Sequence, residues 1–541
     1  MIQTAQVSRS GRALPCEGTA CTKTRAAENA SRRFTLPPDA DGGAAGRLVR
    51  GARRPAAVRY PFSVRRALLF AAIAVGVAVR IGLLVEKPLW ADEIFTLTLA
   101  RKSVAAIVEA LRVDSGPPLH YVASRLVLLP FGSAPGPHDV AVRLLSLAAS
   151  LLHLPLLVAV ARRLGKKEAG LPAAALYALF PLAAVYAAEG RAYLLASLLV
   201  LAAFERALAL RERPTAGRAA ALALAAGSAV LCHYLALFPV AGLLTLLPTA
   251  GPRARGHLLA ALSGGALLFL PWLPIALSQP PAAMAWSREA IFAKAPLHFP
   301  VNLALGIPPG RNLDVLLPVA LLLLGAGLVF AWRGPFRPAA SVLAAGSVLL
   351  AVAHAFFGPL LLPERPAVLF LPLTALVFAG APRTISLLSA AASIAGLVTL
   401  ARGGIAPSAG EALASLLLPE VKQGRRVCAA DLWGPELDYR LSRAGYPGRV
   451  VLFPSDVARH PGWFQEKAID GARLAAEAQA LVASPARPAL FVLPRGSRTA
   501  AALGIALSPL GPHRKATNAF VDVVELPSAP PSGPSIPAPG A

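Results

Sequence analysis

Two adjacent carboxylates, Asp92 and Glu93, stand in Trp90-Ala91-Asp92-Glu93, just past the first long apolar run, Ala67–Val85. An ionised carboxylate beside a hydroxyl can take its proton, and two neighbouring carboxylates raise each other's pKa or share a cation. The same pair would equally cap a helix over Ile94–Ala100, and taken alone the two readings balance. Asp114 precedes Ser115-Gly116-Pro117-Pro118, with His120 and Tyr121 close behind. The double proline stiffens the chain, and Asp114 or Ser115 also suits the cap of a helix starting there. Arg191, within Glu189-Gly190-Arg191-Ala192-Tyr193, and Arg365, within Leu362-Pro363-Glu364-Arg365-Pro366, join apolar runs. A guanidinium fork matches phosphate oxygens, so both arginines suit a lipid phosphate. A Glu–Arg pair easing a tight turn is the simpler reading of each. His233, in a very short loop with Tyr234, is more often structural than a ligand. Arg80 and Arg143, near the ends of apolar runs, are expected to snorkel to the interface.

The elements that must position these groups are membrane helices. Of 541 residues 56% are hydrophobic and only 15% charged, against roughly 25% charged in soluble domains. The chain reads as a polytopic membrane protein with soluble mass at its ends. Its net charge of +25 lies largely in an N-terminal tail and in short loops, where cytoplasmic charge belongs, so nucleic-acid binding is not indicated. Cys16, Cys21, Cys232 and Cys428 show no CxxC or metal spacing, and no structural disulfide is expected. The chain has no Walker A, Rossmann, HExxH or GxSxG motif, which leaves a nucleotide or soluble cofactor without support.

A span needs ~20 apolar residues. The expected spans are Ala67–Val85, Val140–Ala161, Leu171–Ala187, Ala192–Leu210, Ala219–Leu231, Leu235–Leu247, Leu258–Leu277, Val315–Trp332, Ala339–Phe357, Ala367–Ala381 and Thr384–Leu400. Leu119–Phe131 is shorter and reads as a further crossing or an interfacial helix. Trp272 and Trp286 are expected as interface anchors. Loops at 162–167, 211–218, 252–257, 332–337 and 382–383 are basic. The alternate loops hold Asp92-Glu93, Asp114, Glu189–Arg191, His233 and Glu364-Arg365. With the basic set in the cytoplasm, the second set and residues 402–526 lie outside. Arg426–Ala430, Arg449–Phe453 and Pro488–Leu493 read as strands and Gly471–Val482 as a helix, giving a small α/β domain. Residues 1–66 read as a disordered basic cytoplasmic tail, residues 67–401 as the membrane domain and 527–541 as a disordered tail. The first apolar run reads as an anchor rather than a removable signal.

The order of these features resembles the family 39-like, GT-C type membrane glycosyltransferases, related to protein O-mannosyltransferases and lipid A aminoarabinose transferases. The resemblance rests on the acid pair after the first span, Asp-x-x-Pro-Pro-Leu-x-Tyr, a Val-Arg-Leu stretch at Val142–Leu144, Glu-x-Arg-x-Tyr, the His-Tyr loop and the late Pro-x-Arg. It implies an α-helical GT-C fold of about 11–13 transmembrane helices in the inner membrane, with its active site on the extracytoplasmic side. It also implies a polyprenyl-phosphate-linked sugar donor and a glycan, lipid or protein acceptor in the cell envelope. By resemblance, Asp92 is the catalytic aspartate and general base, and Glu93 its acidic neighbour. Arg191 and Arg365, with Glu189 and Tyr193, lie near the donor phosphate. Asp114, His120, Tyr121, Arg143 and His233 are further site candidates. No cofactor is required, although the acid pair is compatible with a divalent cation. Gly116 replaces the histidine common before the double proline, and Pro366 the tyrosine usual after the late arginine. A secondary transporter or lipid flippase is the alternative, although no internal repeat is visible. A scaffold carrying an exported domain is a third reading.

Overall fold

The computed structural model describes residues 62–131, 138–279, 294–307, 313–358, 360, 364–402, 409–431, 433–459, 470–517 and 521–527. Residues 1–61 of the expected tail, Trp286 and nearly all of 527–541 lie outside them, whereas residues 62–66, expected as part of the disordered tail, open the first helix. The first helix, α1 (Phe62–Glu86), leads into three short ones, α2 (Ala91–Ala100), α3 (Val104–Leu111) and α4 (Leu119–Leu128). Then come α5 (His138–Arg163), α6 (Lys167–Leu179), α7 (Pro181–Ala187), α8 (Tyr193–Glu212), α9 (Ala216–Cys232), α10 (Leu237–Gly242), α11 (Pro252–Phe269) and α12 (Leu273–Ser278). The membrane domain closes with α13 (Ala295–Leu305), α14 (Leu317–Trp332), α15 (Arg337–Phe357), α16 (Arg365–Val368), α17 (Leu371–Ala379) and α18 (Arg383–Arg402). Six described helices are long and apolar enough to cross a membrane, and α6–α7 form a seventh, bent candidate. Shorter apolar helices run over Ala216–Cys232, Tyr234–Leu246 and Leu317–Trp332.

The expected spans at Leu171–Ala187 and Ala367–Ala381 are broken rather than straight. The first bends by 67° between α6 and α7. Pro181 has no N–H and pushes the preceding residue out of the helical region, and Phe180 is accordingly extended (φ −61°, ψ 114°). Arg80 on α1 takes up carbonyls near the break: Nη1 donates to Ala178 O at 2.6 Å and Nη2 to Tyr177 O at 3.2 Å. Its Nε reaches Ser150 Oγ at 2.9 Å. Arg80 therefore does not snorkel. It is fully buried, where its charge opposes the negative end of α6. Gly76, one turn earlier, permits the approach, since a Cβ there would lie 2.2 Å from Ala178 O.

The two loop sets lie at opposite ends of the helices. Arg163 pairs with Glu205 and, at 2.6 Å, with Glu212, and Arg211 reaches Thr249 Oγ1 at 2.9 Å. A cavity at this end is lined by Arg163, Arg211, Thr249, Pro335 and Pro338. At the other end, Arg191 at the start of α8 lies beside Asp92. The 20 residues of α8 separate the two ends by ~30 Å, the thickness of a bilayer core. The segment α4 starts beside Gly190, and α5 starts on the same end, beside the C-terminal domain. Leu119–Phe131 therefore returns the chain to the end it started from and does not cross.

The C-terminal domain comprises α19 (Ala409–Lys422), β1 (Val427–Ala430), α20 (Trp433–Arg443), β2 (Val450–Phe453), α21 (Asp456–Arg459), α22 (Gly471–Ala483), β3 (Leu490–Pro494), α23 (Arg498–Leu507), β4 (His513–Thr517) and β5 (Val521–Glu525). The sheet order is β2-β1-β3-β5-β4, parallel from β2 to β3 and antiparallel beyond. Leu413, Leu417 and Leu437 from α19 and α20 form one core with the sheet, and Leu474, Ala478 and Leu503 from α22 and α23 form the other. The expected strands and helix fall where the sequence puts them. The antiparallel pair β4–β5, the amphipathic α19 and α20, and α23 were not anticipated. On α20, Tyr439 donates to Asp139, Arg443 pairs with Asp139, and Arg440 Nη2 donates to Leu89 O at 2.6 Å. The domain thus sits at the same end as Asp92.

Candidate active site

Helix α2 begins at Trp90, its extended N-cap, and carries Asp92 and Glu93 in its first turn. Glu93 reaches back to the Trp90 N–H at 3.4 Å, so the capping reading holds for this residue. Glu93 Oε1 also lies 2.7 Å from Arg143 Nε and 2.8 Å from the Gly190 N–H, and Oε2 lies 2.7 Å from Arg143 Nη2. Both partners are excluded from water, at 1% and 0% exposure. Arg143 spends its remaining N–H groups on the carbonyls of Leu84 (3.1 Å), Lys87 (2.5 Å) and Pro88 (3.0 Å). The expectation that Arg143 snorkels is therefore wrong: a buried carboxylate and three carbonyls hold it inside. A divalent cation shared by Asp92 and Glu93 does not fit either, because guanidinium and amide N–H groups occupy both Glu93 oxygens.

Asp92 faces differently. Its Oδ2 lies 3.5 Å from Arg191 Nη2 and 3.9 Å from Arg365 Nη2. Arg191 is further fixed by Asp92 O at 3.3 Å and Thr96 Oγ1 at 3.4 Å, and the Arg365 guanidinium lies 6.0 Å from the centroid of the Trp90 ring. Three groups distant in sequence thus meet with one negative and two positive charges. Their side chains keep 9%, 14% and 20% exposure, unlike the sealed Glu93–Arg143 pair. The arrangement offers a carboxylate able to accept a proton between two cations able to receive an anion.

Of the other candidates, Glu189 pairs with Lys87 at 2.5 Å rather than with Arg191. Tyr193 packs edge-on to Tyr186 and against His233, with centroids 5.0 and 4.8 Å apart. His233 Nδ1 accepts from Leu235 N at 3.2 Å and caps the turn that follows it. His120 Nε2 lies 3.3 Å from Gly190 O, and Tyr121 packs edge-on to Phe95. Asp114 is buried and accepts from Ser115 N at 2.7 Å. Burial pushes its carboxyl up to about 6, against the pull of Ser115 and Arg191. Gln279 Nε2 clamps this loop through Leu111 O (2.8 Å) and Gly116 O (3.0 Å). Tyr234 in turn bridges Gln279 and Trp272. Trp272 is therefore buried within this network, not an exposed anchor.

Sequence reasoning passed over Glu364. It adopts a left-handed backbone (φ 46°) and accepts from Tyr186 Oη at 3.3 Å. Its only sequence signal was a carboxylate beside Arg365 in a loop between apolar runs. Burial pushes its carboxyl from 4.5 to about 8, with Arg365 opposing and Glu189 reinforcing. The folded protein therefore favours the protonated form. That contribution is complete below pH 4.5 and is lost as pH rises through 8. Thermal stability of the wild type should fall between about pH 5 and 8, and Glu364→Gln should flatten that slope. Parallel slopes for the two proteins would refute it.

No known family profile matches the chain, and no curated protein sequence matches it. Among solved structures, ArnT from Cupriavidus metallidurans bound to undecaprenyl phosphate is similar over 86% of this chain and 98% of that one, at 15% identity and a TM-score of 0.52. The same protein in its apo state matches at 15% identity and 0.45, over 85% and 98% of the two chains. The Archaeoglobus fulgidus oligosaccharyltransferase in its apo form matches at 11% identity and 0.44, over 80% and 70%. The fold is that of the GT-C glycosyltransferases, an α-helical membrane domain followed by a small C-terminal α/β domain.

Proposed function

We propose that this protein is a membrane glycosyltransferase that moves a sugar from a polyprenyl-phosphate carrier to a hydroxyl acceptor outside the cytoplasm. The observation that carries the reading is the approach of Arg191 and Arg365 to within 3.9 Å of Asp92 Oδ2 at the end of the bundle away from the basic loops. Asp92 acts as general base: it takes the proton as the acceptor oxygen attacks the anomeric carbon, and the carbon–phosphate oxygen bond breaks. The lipid phosphate leaves with its electron pair, and Arg191 and Arg365 meet its charge. Glu93 and Arg143 position this machinery and do not touch substrate. Loop charge supports an inner-membrane location with the site on the extracytoplasmic face. The bound undecaprenyl phosphate of the ArnT structure supports a lipid phosphate of that class here.

Native mass spectrometry of the full chain with undecaprenyl phosphate tests the donor half of this reading. The wild type should retain one lipid, and Arg191→Gln or Arg365→Gln should weaken retention by about 10-fold or more, since a hydrogen bond to a charged group is worth ~1.5–3 kcal/mol. Equal retention by wild type and both variants would sink it.

A further inference from the structure

The segment before α2 has no regular structure, yet its carbonyls are taken in turn. Arg143 holds Lys87 O at 2.5 Å and Pro88 O at 3.0 Å. The next carbonyl, Leu89 O, belongs to Arg440 of the C-terminal domain, whose Nη2 donates at 2.6 Å. Trp90 then caps the helix, and Asp92 follows one residue into it. Arg440 is itself steered, since Glu436 one turn back on α20 accepts from its Nη2 at 2.7 Å and its Nε at 3.1 Å. Its side chain is only 12% exposed. The adjacent Tyr439 packs against the small core that Leu89, Ile94 and Leu97 build under α2. One domain thus grips the loop up to residue 88, and the other takes residue 89.

From this geometry we propose that Arg440 is a positioning residue for the Asp92 loop, and that the C-terminal domain forms part of the active-site scaffold. A guanidinium bound to the carbonyl three residues before Asp92 sets where α2 starts, and therefore how far Asp92 Oδ2 stands from Arg191 and Arg365. Misplacement of a reacting group by ~1 Å can cost about 10²-fold in rate. The catalytic part of this inference rests on the function proposed above, whereas the structural part does not.

Hydrogen–deuterium exchange of the full chain in nanodiscs separates the two. Arg440→Ala should raise amide exchange over residues 90–96 by about 10-fold while exchange in α8 and α11 stays as in the wild type. Arg440→Lys, which keeps one donor for Leu89 O, should restore part of the protection. Tyr439→Phe keeps the ring in the α2 core and removes only the contact to Asp139, so it should leave residues 90–96 as they are. Unchanged exchange in Arg440→Ala would overturn the proposal, and so would equal loosening in Tyr439→Phe, because the domain would then act only as a weight on the loop. With any polyprenyl-phosphate sugar that the wild type turns over, Arg440→Ala should lower kcat about 10-fold and leave KM for the donor within about threefold. Increased exchange with unaltered kcat would reject the positioning role. Failure of the wild type to use any such donor would count against the proposed function and leave the exchange result standing.

Discussion

Replacing Asp92 by Asn is expected to lower sugar transfer by about 10²–10⁴-fold, the range a general base contributes, without loss of lipid binding. The amide keeps the volume, and the contacts from Thr96 Oγ1 and Arg191 Nη1 run to the backbone carbonyl of residue 92, which the substitution leaves in place. What it loses is the ability to hold a proton taken from the acceptor. It also removes the negative charge between the two guanidinium groups, so undecaprenyl phosphate should bind at least as tightly as to the wild type. The paired measurement is a transfer assay with a labelled polyprenyl-phosphate sugar beside native mass spectrometry with undecaprenyl phosphate. Collapse of both readouts would mean that Asp92 builds the site rather than works in it. Transfer within about threefold of wild type would remove it as base.

The parts of this architecture written into local sequence are the parts found there. Apolar runs of span length, loops of alternating charge and strands with β-branched residues each declare themselves within about twenty residues. The bends do not, because a break depends on what can satisfy the freed carbonyls. In α6–α7 that is Arg80, about 100 residues away in sequence. The same limit governed the acid pair. Asp92 and Glu93 are neighbours with the same chemistry, and sequence alone left the pair balanced between catalysis and helix capping. Their surroundings separate them. Helical geometry turns adjacent residues ~100° apart, so one carboxylate faces Arg143 in the sealed interior while the other faces Arg191 and Arg365 at the opening. Likewise Glu364 reads as half of an ion pair with Arg365, until burial beside Tyr186 and Glu189 gives it a proton. The edge strand β4 was hidden for another reason. The residues of β4 are polar and mostly exposed, so no alternating burial pattern marks the edge strand.

The Glu93–Arg143 pair should give the largest loss of stability of any single change in the membrane domain. A buried pair is not itself strongly stabilising, since desolvation offsets its attraction, but removing one partner strands the other and costs ~3–5 kcal/mol. The two sides are unequal here. Glu93→Gln keeps the shape and can still accept from Gly190 N through its amide oxygen. Arg143→Met leaves a buried carboxylate and also releases the carbonyls of Leu84, Lys87 and Pro88. Arg143→Met should therefore be the worse variant, measured as the shift in detergent thermal stability. The Glu93→Gln, Arg143→Met double variant should recover part of the loss, because the stranded charge is gone while the orphaned carbonyls remain. Equal destabilisation by the two single variants would show that the carbonyl contacts carry no weight. An Arg143→Met protein as stable as wild type would contradict the sealed pair itself. Because the released carbonyls lead directly to Trp90 and Asp92, any Arg143→Met protein that still folds should also lose transfer, through a misplaced base rather than a missing one.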